Sequence, residues 1–109
     1  MQNLYTLFKE NNFKLTNETL KATEFENIES KEVVYLLPNN ELTLVVNPKV
    51  VEGNEELGEK AEKIYHSTAL RNFPKRKHNG KTPINYGYSF KFQSEEELSS
   101  FLVRLLIMY

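Results

Sequence analysis

The run Val33-Val34-Tyr35-Leu36-Leu37-Pro38-Asn39-Asn40-Glu41-Leu42-Thr43-Leu44-Val45-Val46 sets two apolar, β-branched segments on either side of a Pro-Asn-Asn turn. That is the pattern of a β-hairpin. Alternation puts Val33, Tyr35 and Leu37 on one face, and Leu42, Leu44 and Val46 are expected to match them there. Val34, Leu36 and Val45 make the second face apolar as well, so the hairpin is expected inside a sheet rather than at its edge. Asn47-Pro48 ends the second strand, because proline cannot donate to a ladder.

Outward from this hairpin, the cleanest period of two lies in Ile84, Tyr86, Tyr88, Phe90 and Phe92, which alternate with Asn85, Gly87, Ser89 and Lys91. This predicts a strand, with Gly87 marking a bulge or a close backbone approach. Ser94 and Glu97 form a capping box opening a last helix, with Leu98, Phe101, Leu102 and Leu105 on its inner stripe. Val103, Leu106, Ile107 and Met108 widen that apolar surface, which points to deep burial or to a homodimer through this helix.

Between these elements, Asn54 is a good N-cap, and Leu57, Ala61, Ile64, Tyr65 and Thr68 repeat at helical spacing. They predict a helix from about 55 to 72, closed by Phe73-Pro74. Leu4, Leu7 and Phe8 predict a short N-terminal helix ending at Asn11-Asn12, and a strand is expected near 20–27. The fold class expected is α+β: one domain over 1–109, a small mainly antiparallel sheet of three or four strands, and two main helices packed on one face.

Charge is segregated along the chain. From Lys63 to Ser94 there is no acidic residue, and Lys63, Arg71, Lys75, Arg76, Lys77, Lys81 and Lys91 give +7. The remainder carries seven basic and fifteen acidic residues, or −8, against a total of −1. On the expected helix Lys60, Lys63, Ser67 and Arg71 are spaced 3, 4 and 4, which sets them in one narrow stripe. The stripe leads into a loop with Lys75, Arg76, Lys77, His78, Asn79, Lys81 and Thr82, and on to Asn85. Cations in a line suit a polyanion, because each neutralised phosphate releases condensed counterions. The side chains of Asn72, Asn79, Thr82 and Asn85 suit phosphate or base edges, and Tyr86, Tyr88 or His78 would stack on a base if exposed.

The expected function is therefore a small non-catalytic module binding nucleic acid, DNA or RNA. The alternative is a protein-interaction module or small inhibitor that docks its basic face on an acidic partner. Catalytic readings find little support. The chain has no cysteine, which excludes disulfides and thiolate chemistry, and every one of its acidic residues is Glu. Gly80-Lys81-Thr82 resembles the end of a P-loop, but Lys75 stands where that pattern needs Gly, and a strand rather than a helix is expected to follow. Glu29-Ser30-Lys31, with Glu18 or Glu24 as companion, has the acid-x-Lys form of metal-dependent nucleases. Two histidines, His66 and His78, are too few for a metal site, and no cofactor is expected. Glu95-Glu96-Glu97 reads as first-turn glutamates favoured by the helix dipole. The first residues lack a signal-peptide pattern and no apolar run approaches a membrane span, so a cytoplasmic chain without membrane contact is expected. The Asn-, Lys- and Glu-rich composition looks like that of an A/T-rich bacterial or phage genome.

Overall fold

The elements run α1 (Leu4–Glu10), β1 (Phe13–Glu18), β2 (Thr23–Asn27), β3 (Val33–Leu36), β4 (Leu42–Val46), α2 (Pro48–Glu52), α3 (Glu55–Lys60), β5 (Lys63–His66), β6 (Lys75–Lys77), β7 (Pro83–Phe92) and α4 (Glu95–Met108). This computed structural model describes residues 4–77 and 82–108, the last three as backbone alone.

All strand pairings are antiparallel, in the order β1-β2-β3-β4-β7-β5, with β6 also pairing β7. The sheet thus has seven strands, with four helices, where three or four strands and two main helices were expected. The hairpin is β3–β4, and both of its strands lie inside the sheet. Its register differs from expectation by one residue. Leu37 N donates to Thr43 O at 3.0 Å, closing a turn over 38–42. That odd-numbered turn sets Tyr35 opposite Val45 and Leu36 opposite Leu44, so Val34, Leu36, Leu44 and Val46 share a face. A slip of one exchanges the two faces of a strand, and burial fixes which is inward.

The larger core lies on the Leu44 face, beneath the helices. Phe8, Phe25, Leu44, Phe90, Leu98 and Leu102 are among its buried members. Helix α1 is held there by Leu7 and Phe8, and ends where Asn12 takes a left-handed φ of 67°. Ser94 caps α4 by accepting from Glu97 N at 3.1 Å. Val103 of α4 is exposed, while the side chains of Leu106, Ile107 and Met108 in the expected dimer surface lie outside the described residues. No described helix is long and apolar enough to cross a membrane.

The expected helix over 55–72 stops at Lys60. Asn54 caps it, accepting from Leu57 N at 3.0 Å, but Ala61 already has extended backbone. Tertiary pairing wins over helical spacing here. Glu62 N donates to Ser89 O at 2.7 Å and Ser67 N to Asn85 O at 3.1 Å, so 63–66 become an outer strand on β7. Ile64 and Tyr65 are residue types that suit such a pleated surface.

Candidate nucleic-acid interface

The acid-free segment divides into a neutralised part and an unneutralised part. Lys60 ends α3 with its ammonium 3.2 Å from Glu56. Arg71 grips Glu24 with two bonds, Nε to Oε1 and Nη2 to Oε2, each at 3.0 Å. Lys91 lies between Glu41 at 3.6 Å and Glu62 at 3.7 Å. By contrast Lys63, Lys75, Arg76 and Lys77 are exposed and make no ion pair among the described residues.

The stripe Lys60-Lys63-Ser67-Arg71 does not exist as a helix face. Lys60 is helical, Lys63 begins β5, Ser67 is buried, and Arg71 sits on an irregular segment covering the sheet. Asn85 is also withdrawn from any ligand: it is buried, and its Nδ2 donates to Phe73 O at 2.7 Å. Thr82 is exposed at the foot of β7. His78, Asn79 and Lys81 lie outside the described residues. What the fold does bring together is Lys75, Arg76 and Lys77, consecutive on β6 and paired with Asn85, Ile84 and Pro83.

The segment 67–74 positions β6. It crosses the face of the sheet opposite the helices, where Leu70 and Phe73 are buried against Ala22, Tyr35, Leu37 and Val45. Glu24, only 1% exposed, sits beneath it. Besides Arg71, its carboxylate accepts from Thr16 Oγ1 at 2.7 Å, Tyr35 OH at 2.7 Å and Asn72 Nδ2 at 2.9 Å. The Tyr35 hydroxyl in turn accepts from Asn72 N at 3.1 Å. Burial pushes the Glu24 carboxyl up, but the bonds from Arg71, Thr16 and Tyr35 outweigh it and hold it below the ordinary carboxylate value. Burial, together with the Glu24 charge, raises the Tyr35 phenol. Tyr86 N then donates to Pro74 O at 3.0 Å, which feeds the chain into β6.

The aromatic residues beside β6 are not open platforms. The Arg76 guanidinium lies over the Tyr86 ring, 5.2 Å from its centroid, and His66 flanks the same ring at 6.1 Å. The Tyr88 and Tyr86 hydroxyls both reach Glu52, at 2.9 and 3.5 Å. Burial and then Glu52 raise the Tyr88 phenol. Phe90 and Phe92 pack on Phe101 of α4.

The acid-x-Lys element lies on a turn, where Glu29 N and Ser30 N both donate to the Asn27 side chain, at 3.0 and 2.9 Å. Its companion Glu24 is fully engaged by protein donors. Sequence reasoning gave Glu24 no structural part, because its partners lie up to 48 residues away and no local pattern marks them.

Compared with known proteins, the chain matches no family model, no curated protein and no solved structure.

Proposed function

We propose that this protein is a non-catalytic module that binds nucleic acid through the cations of β6. One observation carries the reading: Lys75, Arg76 and Lys77 are adjacent, exposed and unpaired with any described carboxylate, while Lys60, Arg71 and Lys91 are each neutralised within the fold. Unneutralised cations are the ones that release counterions from a phosphate chain, so the interface contracts from a long stripe to this strand. Lys63 on β5 adds charge to the same domain. A cytoplasmic setting goes with this reading.

Replacing Lys75, Arg76 and Lys77 together with Ala is expected to weaken binding about tenfold or more at low salt. Thermal unfolding should stay unchanged, because exposed side chains contribute little to the core. Lys91→Ala, whose ammonium already serves two glutamates, is expected to change affinity less than about twofold. An electrophoretic shift assay against DNA and RNA measures both. The reading fails if the unsubstituted protein shifts neither, or if Lys91→Ala weakens binding as much as the triple change. Retention by an acidic protein without any nucleic-acid shift would instead favour the interaction-module alternative.

A further inference from the structure

Resting on that reading, we infer that the nucleic acid is a B-form DNA duplex and that the β6–β7 ribbon enters its major groove. The first ground is geometric. Ser67 N bonds Asn85 O, the last ladder bond from β5, and the β4 register ends at Val46 opposite Tyr88. Beyond Asn85, β7 keeps β6 as its only neighbour among the described residues, with Arg76 opposite Ile84 and Lys77 opposite Pro83. That is a two-stranded ribbon, and a major groove about 12 Å wide admits one. The deep, narrow major groove of an A-form RNA helix does not.

The second ground is the placement of charge. Successive side chains of a strand point to opposite faces. Lys75 and Lys77 therefore stand on one face of the ribbon, and Arg76 stands on the other, over Tyr86. A surface laid along a single strand uses cations on one face only. A ribbon with cations on both faces meets a phosphate wall on each side, as a groove provides.

The third ground is what flanks the cations. Binders of single strands offer aromatic faces on which bases stack. Tyr86 is flanked by Arg76 and His66, and its hydroxyl and that of Tyr88 turn to Glu52. Glu52 also places a negative charge beside that face, where a stacked nucleotide would bring its phosphate.

The test uses the full chain and one sequence prepared as duplex DNA, single-stranded DNA and duplex RNA, at one low salt concentration. Duplex DNA is expected to bind about tenfold tighter than the other two. Methyl green, a major-groove ligand, is expected to displace the protein, and the minor-groove ligand netropsin is not. Arg76→Ala and the pair Lys75→Ala/Lys77→Ala are each expected to weaken duplex binding. Equal or tighter binding to single-stranded DNA or duplex RNA overturns the groove assignment but leaves the β6 interface standing. Displacement by netropsin alone, or an Arg76→Ala variant that binds duplex normally, overturns it too. Failure to bind any of the three overturns the functional reading itself.

Discussion

Glu24→Gln is expected to cost about 3 kcal/mol of folding stability, near the low end for breaking one partner of a buried pair. The low end applies because the Arg71 side chain is 56% exposed and rehydrates once released. The loss stays large because Thr16, Tyr35, Arg71 and Asn72 all donate to this carboxylate. An amide in its place turns one acceptor into a donor, facing donors already there. Urea titration at neutral pH measures the loss.

The same substitution changes the acid limb. The folded Glu24 carboxyl lies below its ordinary value of 4.5. Its contribution is therefore complete above that value and is lost as pH falls below it towards the folded value. The unsubstituted protein should lose stability through that range, and Glu24→Gln should lose less. Parallel acid limbs in the two proteins would show that Glu24 does not anchor the segment over the sheet.

Gly87→Ala is expected to cost about 2 to 3 kcal/mol, as inserted carbon does in a closely packed core. A Cβ at Gly87 would lie 2.6 Å from Val45 Cγ1, 2.9 Å from Val46 O and 3.0 Å from Phe73 Cδ2. The Val46 oxygen is backbone and cannot turn away, and Phe73 is the plug that seats the 67–74 segment. Relief therefore requires Phe73 and its segment to shift, and β6 follows directly after Pro74. Thermal unfolding with amide exchange over β6 and β7 checks this. A change of less than about 0.5 kcal/mol, within the range of ordinary surface substitutions, would mean that the packing here is loose.

These two sites also mark the limit of what the chain shows before folding. The β3–β4 hairpin, β7, α1 and the capped α4 carry local signals strong enough to read: β-branched runs, alternation and cap residues. Three strands carry none. β1 begins as Phe13 and Leu15, but its register shifts between Leu15 and Asn17, which breaks the period of two. β5 falls on positions whose spacing also fits a helix, and only its bonds to β7 decide the matter. β6 is Lys-Arg-Lys, with no apolar residue to betray a strand. For the interface, the concentration of charge was legible and its neutralisation was not. Arg71 meets Glu24 across 47 residues, and Asn85 turns inward because Phe73 offers it a carbonyl. Pairings of that range are properties of the fold.

The most direct measurement of the central claim is the salt dependence of DNA binding by the unsubstituted protein and by the Lys75→Ala/Arg76→Ala/Lys77→Ala variant. If these three cations meet phosphates, the slope of log K against log salt should be about 2 to 3 units shallower in the variant, at roughly 0.9 for each phosphate no longer neutralised. Equal slopes would contradict the account and place the interface elsewhere on the molecule.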